Sequence, residues 1–335
     1  MNLHSSFNVK EGTPMNAGGE RIRRIALPTP FRVGDVNVYL IEGEGRVLVD
    51  TGPETDEAWA ALQARLREVG LKVRDLDAIV LTHHHIDHVG LAARILDEKP
   101  LPVYAHPQAA PYVGKAEAFL AERAAFLRTL YQKSGVPEPL IAEAEEVYRA
   151  YLRFFRPVPA IRPVREGATL PELPGWTVLE TPGHAPDHVA LFCPDEGLLI
   201  GGDHLLLHIS SNAFVEPAYG TPLRPRSLVV YREALERLLD LPIGRVLPGH
   251  GEAVAEPAAL IRERLRQQLE RAELLRGLLA EEATAFGISQ RLFPKLFRTE
   301  LPLVLSEVVG HLDLLVELGR ATVEDGPIIR YRPAD

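Results

Sequence analysis

The chain of 335 residues contains little cysteine, little methionine and no long hydrophobic run. A single cysteine, Cys193, excludes an intramolecular disulfide framework and is typical of a reducing compartment. No apolar stretch approaches the roughly 20 residues that a membrane-spanning helix needs. Residues 1–20 lack the charged and apolar regions of a secretion signal and predict a loose N-terminal segment. These absences favour a cytoplasmic protein with no membrane partner.

Positive charge is also in short supply. The 37 Lys and Arg residues are outnumbered by 46 Asp and Glu residues, which gives a net charge of −9. Such a surface has no general affinity for phosphate backbones, so nucleic acid is not favoured as a partner. A hydrophobic fraction of 46% over this length is enough for one large domain and a small one.

The order of strand-like and helix-like segments indicates an α/β protein. Residues 38–41 and 47–50 flank the turn signal "EGEG" and predict a β-hairpin. Strands then alternate with helical segments, which predicts sheets with helices packed outside them. From residue 256 a long helix leads into a C-terminal segment, where residues 301–333 predict two helices and then a β-hairpin.

Residues 107–156 interrupt this order with two predicted helices that are rich in Phe and Tyr. Tyr148 and Tyr151 belong to an apolar stripe on the second helix. One interpretation is a helical hairpin that packs its own apolar faces. The other is a lid that lines an apolar substrate pocket, with these tyrosines as substrate contacts. The two interpretations are compatible.

The stretch "LTHHHIDHVG", residues 81–90, places four histidines and an aspartate within six positions. On an extended segment residues i and i+2 share a side, so His83 and His85 can face one centre while His84 faces away. Asp87 and His88 follow as the chain turns into a helix. They can therefore approach a second point nearby.

Three further candidate ligands each follow a strand-like run: His184 in "TPGH", Asp203 in "GGDH" and His250 in "PGHG". An adjacent glycine lets backbone and ligand come close without a Cβ clash. Seven nitrogen and oxygen ligands are too many for one tetrahedral ion. They can serve two ions if one carboxylate is shared, as in a two-metal hydrolytic site.

Other polar residues near these motifs have weaker signals. His188 opens a strand, which favours a role in bracing a ligand over direct metal binding. His204 follows Asp203 and should point away from the centre. His208 and Asn212 lie on the next loop, where a substrate contact and an ordinary loop role are both open.

The motifs "VDTG", "THHHIDHVG", "TPGH", "GGDH" and "PGHG" occur in an order that resembles the metallo-β-lactamase superfamily over about residues 22–255. The resemblance implies an αββα sandwich. It also implies that one metal ion is held by His83, His85 and His184, and a second by Asp87, His88 and His250. Asp203 would bridge them together with a water or hydroxide, while Asp50 and Thr82 would brace the ligands.

Within that superfamily the chain resembles the β-lactamase-like protein 2 branch, which is related to glyoxalase II. This implies a catalytic domain over residues 21–255, interrupted by the helical insert 107–156. Residues 256–335 would form a long helix and a small winged-helix-like domain. The insert departs from the smallest family members.

The function implied is that of a metal-dependent hydrolase with two divalent ions. Zinc suits the ligand set best, and iron or manganese also bind imidazole and carboxylate. A bridging hydroxide, oriented by Asp87, would attack an ester- or thioester-type bond in a small or medium acyl substrate.

Two other functions remain open. A winged-helix-containing endoribonuclease-like phosphodiesterase would use the same site, although the candidate recognition helix carries the acidic residues Glu307, Asp313 and Glu317. A mononuclear iron enzyme of the persulfide-dioxygenase type would need only a subset of the ligands. The apolar face of the terminal segment can pack on the main domain or form a homodimer contact; it consists of Val304, Val308, Leu312 and Leu315.

Overall fold

The computed structural model describes residues 15–17, 20–221, 223–279 and 283–334. Its first sheet has seven strands, which run from edge to edge in chain order. They are β1 (Met15–Ala17), β2 (Glu20–Leu27), β3 (Val36–Glu42), β4 (Arg46–Val49), β5 (Ala78–Val80), β6 (Val103–Ala105) and β7 (Arg162–Pro163). Strands β1 to β4 are antiparallel, and β4 to β7 are parallel. The pairing of β3 with β4 confirms the predicted hairpin.

A second sheet of four strands has the order β11-β10-β9-β8. These strands are β8 (Thr177–Glu180), β9 (Val189–Cys193), β10 (Leu198–Gly202) and β11 (Arg245–Pro248). β10 pairs antiparallel with β9 and parallel with β11. The parallel pair places the ends of β10 and β11 side by side, and these are the strands that precede Asp203 and His250.

The two sheets pack face to face because both have an apolar inner surface. Along β3, Tyr39 and Ile41 point into the core between the sheets, whereas Val38 and Leu40 point outward. This alternation has the period of two that a strand requires. Cys193 is buried in the same inter-sheet core.

Helices cover the outer face of the first sheet: α1 (Asp56–Glu68), α2 (Ile86–Val89) and α3 (Ala92–Glu98). α1 begins at Thr55, whose side chain accepts a hydrogen bond from the backbone of Ala58. Its buried residues Trp59, Leu62 and Leu66 lie at helical spacing. With helices on the outside of the second sheet as well, the predicted αββα sandwich is confirmed.

The insert contains α4 (Ala110–Val113), α5 (Glu117–Lys133) and α6 (Glu138–Tyr151). α5 and α6 are the two predicted helices, and they are joined by a turn around Gly135 with φ +85°. Buried residues of these helices, among them Leu130, Tyr131 and Ile141, join the core outside the second sheet. The insert is therefore packed against the body of the protein as well as against itself.

The outer face of the second sheet is covered by α7 (Ser227–Leu238), α8 (Pro257–Gly277), α9 (Ala285–Leu292) and α10 (Leu301–Glu317). A hairpin of β12 (Ala321–Glu324) and β13 (Arg330–Pro333) follows. α10 lies among α7, α8 and α9, and nearly every residue of its central part is buried.

Residues 301–317 form one continuous helix, so the prediction of two helices in this stretch was wrong. Gly310 does not interrupt α10; it lets α10 approach α7, because a Cβ atom there would lie 2.9 Å from Leu228 Cβ. The apolar face predicted for this segment is fully covered by a core shared with α7 and α8. Its members are Val304, Val308, Leu312 and Leu315.

The predicted loose segment 1–20 lies mostly outside the described residues. Within it, Met15–Ala17 pairs with β2 as an edge strand. No helix among the described residues combines the length and the apolar character that crossing a bilayer requires.

Candidate metal centre

The predicted ligands meet at one edge of the sandwich, where strands of both sheets end. The loop between β5 and α2, with α2 itself, supplies four of them, and the loops after β8, β10 and β11 supply one each. All seven belong to groups whose ligand atoms lie within 4.8 Å of one another: His83, His85, Asp87, His88, His184, Asp203 and His250. Five are buried, and His85 and Asp87 are partly exposed.

The first group consists of three imidazoles. His85 Nδ1 lies 3.0 Å from His83 Nε2 and 2.9 Å from His184 Nε2. Three nitrogen donors at this separation can share one metal ion of the first transition series or zinc.

The second group combines Asp87, His88 and His250. Asp87 Oδ2 lies 3.3 Å from His250 Nε2 and 4.0 Å from His88 Nε2. Asp87 and His88 occupy α2, and His250 follows β11. This group offers two nitrogens and one carboxylate oxygen to a second cation.

Asp203 lies between the two groups. Its Oδ1 is 3.5 Å from His88 Nε2, and its Oδ2 is 3.5 Å from His250 Nε2 and 3.7 Å from His184 Nε2. The carboxylate therefore contacts histidines of both groups. This is the position in which one residue can be shared by two ions.

Hydrogen bonds on the outer ring nitrogens of His83 and His88 define which nitrogen faces the centre. Thr82 Oγ1 donates to Asp50 Oδ2 at 2.8 Å and so accepts from His83 Nδ1 at 3.0 Å. His88 Nδ1 donates to the same Asp50 oxygen at 2.8 Å. Because each Nδ1 carries the proton, each Nε2 presents a lone pair to the centre. Asp50 and Thr82 thus occupy the bracing positions that the resemblance implied.

The outer nitrogens of the other three imidazoles are also bonded. His184 Nδ1 donates to the carbonyl of Asn212 and His250 Nδ1 to the carbonyl of Asp35, both at 2.8 Å. His85 is bonded through its Nε2, which lies 3.4 Å from Glu216 Oε2. These three partners were not predicted. Two of them are backbone carbonyls, which any residue type could supply.

His188 contacts the backbone of Asp203. Its Nε2 accepts a hydrogen bond from the backbone N–H of Asp203 at 3.2 Å, and its Nδ1 bonds Thr181 Oγ1 at 2.7 Å. Its ring does not belong to either ligand group. His204 is buried beside His188 and Tyr231, and its ring does not belong to either ligand group.

The ionisation of the site suits a cation. Burial, with His85 close by, lowers the pKa of His184 to about 4, and burial among other imidazoles holds the pKa of His83 well below its usual value. Burial opposes ionisation of Asp203, but His88 and His250 hold the pKa of its carboxyl well below its usual range. Neutral His83 and His184 beside an ionised carboxylate are in the forms that bind metal. In the second group burial opposes protonation, but Asp203 raises the pKa of His88 and His250, so a bound cation would displace a proton from each ring.

Three atoms at the centre are buried without a hydrogen-bond partner among the described residues: His88 Nε2, His250 Nε2 and Asp203 Oδ1. Leaving such atoms unsatisfied is costly, and native structures contain few of them. Each belongs to a predicted ligand and is directed at the same centre. The residues present therefore fit divalent metal ions.

His84 is excluded from this centre and belongs to a buried charge network that the sequence did not indicate. Its Nδ1 lies 2.6 Å from Asp187 Oδ1, and its Nε2 lies 3.2 Å from Glu216 Oε2. Burial opposes protonation, but these two carboxylates raise the pKa of His84 to about 9. The other oxygen of Glu216 pairs with Arg123 of α5.

His84, His85 and Glu216 form a further group with ligand-like spacing. Glu216 is already neutralised by two cations, protonated His84 and Arg123, so an added metal ion would meet positive charge there. We interpret this group as an ion-pair network rather than a third metal site.

The predicted substrate contacts have different surroundings. Asn212 has its carbonyl on His184 and its side-chain Nδ2 on the carbonyl of Leu303 at 3.1 Å. The Tyr148 ring lies 4.1 Å from the Arg123 guanidinium, and the exposed Tyr151 ring packs against Phe31. His208 is exposed on the loop after β10. The structure thus places Asn212 beside the ligands.

Comparison with known proteins agrees with this geometry. Residues 31–250 match the metallo-beta-lactamase superfamily. The probable metallo-hydrolase YqjP of Bacillus subtilis is 41% identical over 88% of this chain and 92% of its own length. A metallo-beta-lactamase family protein of known structure from Thermus thermophilus has a TM-score of 0.80 at 30% identity, over 93% of this chain and 98% of that one.

Two more distant relatives bear on the branch. A beta-lactamase-like protein 2 homolog of Drosophila melanogaster is 26% identical over 91% of both chains, which confirms the predicted likeness. The thioesterase pkgB of Emericella nidulans is 26% identical over 76% of this chain and 57% of its own. The superfamily binds divalent metals, and this chain has the His and Asp clusters for them. The chain belongs to the metallo-β-lactamase superfamily and is a hydrolase of that family.

Proposed function

We propose that the chain hydrolyses an ester- or thioester-type bond in a small or medium acyl compound at a centre of two divalent metal ions. The first ion would be held by His83, His85 and His184, and the second by Asp87, His88 and His250. The observation that carries the proposal is the position of Asp203, whose carboxylate lies within 3.7 Å of histidines from both groups.

Zinc suits this centre best. Every donor is an imidazole nitrogen or a carboxylate oxygen, and none is a thiolate. Iron and manganese accept the same donors, and metal analysis of the purified protein distinguishes the three ions.

The two ions, when bound, would polarise the substrate carbonyl and lower the pKa of water from about 15.7 toward 7. The residues of the chain would hold the two ions and orient the attacking water. Burial opposes ionisation of Asp87, but His88 and His250 lower the pKa of its carboxyl, so the group is ionised at neutral pH. Its Oδ2 faces His250, which leaves Oδ1 to accept a hydrogen bond from a water molecule and orient it for attack.

An acyl substrate is supported by the apolar wall next to the first group. The Phe214 ring is 5.3 Å from the His85 ring and 5.7 Å from the His184 ring, and it is partly exposed. An aromatic side chain beside the ligands favours a substrate with an apolar portion. The similarity to a protein named as a thioesterase points the same way.

The alternatives have less support. α10, the candidate recognition helix of a nuclease, is buried, and the net charge is −9. A mononuclear iron enzyme would leave the gathered group of Asp87, His88 and His250 without a role. The scarcity of cysteine, with Cys193 alone in the sequence, favours a cytoplasmic location.

Metal analysis and a substrate panel test the proposal together. We expect protein purified without added metal to bind two divalent ions per chain and to cleave acyl thioesters or simple esters. Chelation should abolish cleavage, and zinc should restore it. Asp203→Asn, which removes the shared charge, should neither bind two ions nor cleave the acyl substrates. Cleavage of single-stranded RNA without ester cleavage, or one iron per chain with oxygen consumption, would replace the proposal with one of the alternatives.

A further inference from the structure

A short loop between β10 and α7, residues 211–217, holds two of the three imidazoles of the first group. The carbonyl of Asn212 accepts from His184 Nδ1 at 2.8 Å, and Glu216 Oε2 lies 3.4 Å from His85 Nε2. The histidines of the second group have other partners, Asp50 for His88 and the Asp35 carbonyl for His250. The loop therefore contacts one half of the centre selectively.

The insert holds this loop from one side. Arg123 of α5 is only 7% exposed and pairs with Glu216 Oε1. Tyr112 of α4 donates from its hydroxyl to the carbonyl of Pro217 at 2.8 Å, and its ring stacks on His84 at 3.6 Å between centroids. The insert thus fixes the end of the loop that carries Glu216.

The C-terminal helix α10 holds the loop from the other side. The backbone N–H of Val215 donates to Ser306 Oγ, and Asn212 Nδ2 donates to the carbonyl of Leu303, each at 3.1 Å. Leu303 and Ser306 are one helical turn apart on α10. The loop is consequently clamped between two segments that lie outside the two sheets.

The charges explain why Glu216 has one orientation. A buried carboxylate is tolerated only with close partners, and Glu216 has His84 and Arg123 on either side. Glu216 Oε2 lies 3.2 Å from His84 Nε2 and its Oε1 pairs with Arg123, so each oxygen of the carboxylate has a partner. Removal of Arg123 would leave Glu216 short of a partner and free to turn away from His85.

We propose that residues 211–217 are a positioning loop for the first metal ion, that Glu216 is the positioning residue for His85, and that Arg123 and Ser306 fix the loop from α5 and α10. The proposal rests on the proposed function in one respect: it requires that His83, His85 and His184 bind a metal ion. It assigns the insert and the C-terminal helix a shared role in retaining that ion.

The test is a chelator competition on the full-length chain loaded with Zn²⁺, followed by the visible absorption of the Co²⁺ form. Glu216→Gln and Arg123→Met should each weaken binding of one of the two ions by about 10- to 100-fold, the usual effect of losing such a partner. Ser306→Ala removes one neutral hydrogen bond and should weaken the same ion by about two- to tenfold. The other ion should be unaffected, and the Co²⁺ spectrum should change only for the weakened site.

Two matched controls separate positioning from general stability. Arg128→Met alters another arginine of α5, one that pairs with Glu138 and Glu145 away from the loop. Ser289→Ala removes a buried hydroxyl that donates to the carbonyl of Ala285 within α9. Neither should change the affinity for either ion. Arg123→Lys retains the charge and should recover part of the affinity, which keeps the test usable if Arg123→Met folds poorly.

Coupling between the two residues is decisive. If Arg123 acts through Glu216, the double variant should lose no more affinity than Glu216→Gln alone. Additive losses, equal weakening of both ions, or unchanged affinities with lowered thermal stability would overturn the proposal. Metal affinity is measured without substrate, so failure to cleave esters by a protein that binds both ions would refute the proposed function alone.

Discussion

The backbone of Gly249 lies directly against the carboxylate of Asp203. A Cβ atom at Gly249 would be 2.2 Å from Asp203 Oδ1 and 2.8 Å from His88 Cε1. Contacts this short do not occur between nonbonded atoms, so the site is built around the absence of a side chain at this position. The first glycine of the "PGHG" motif, Gly249, is therefore required for the carboxylate of Asp203 to occupy this position.

Gly249→Ala should displace Asp203 and reduce metal binding to less than half of the wild-type content, as measured by elemental analysis. Gly244→Ala is the matched control at the other end of β11, since a Cβ atom there meets nothing closer than 3.8 Å. It should leave the metal content unchanged. Equal metal content in the two variants would show that the Asp203 position does not depend on this contact.

Asp50→Asn should weaken metal binding by about 10- to 100-fold. The Asp50 carboxylate accepts hydrogen bonds from Thr82 N, Thr82 Oγ1 and His88 Nδ1, and an amide has only one acceptor oxygen for them. Asp50 has φ +59°, which Asn adopts readily, so backbone strain is not introduced. Chelator competition measures the effect. The exposed Asp56→Asn serves as control, and a loss of the same size there would contradict the role given to Asp50.

Leu312→Ala should lower the free energy of unfolding by about 2–5 kcal/mol, because it opens a cavity in the core that α10 shares with α7 and α8. Urea denaturation should show one cooperative transition for the whole chain. Leu274→Ala on the exposed side of α8 should cost less than about 0.5 kcal/mol. A separate transition for the C-terminal region, with the core transition unchanged, would mean that this region is stable on its own.

The candidate ligands could be identified from sequence because each follows a strand and has a fixed local pattern. In "THHHIDH" the alternation of an extended chain separates His84 from His83 and His85, and the structure has the same separation. The adjacent glycines also carry information, as Gly249 shows. Short-range pattern and the resemblance were together sufficient for the sandwich and for the gathering of the seven side chains.

The partners of those ligands could not be identified in the same way. Glu216 and Arg123 are 93 positions apart, and their ion pair depends on how the insert docks on the loop after β10. Asp35 and Asn212 act through backbone carbonyls, and because every residue has one, this role cannot be recognised from the amino acid at the position. One local feature could have indicated a buried ion pair. Arg123 is a charged residue in the largely apolar stretch "LAERAAFL". The single helix α10 contains Gly310, because a helix can contain glycine where it packs closely on another.

Whether the gathered side chains bind two ions is measured by the metal content of three proteins, purified in parallel and analysed by inductively coupled plasma mass spectrometry: wild type, His83→Ala and Asp203→Ala. We expect about two divalent ions per wild-type chain, and loss of both metal and esterase turnover in each variant. Stoichiometric metal retained in both variants would contradict this expectation.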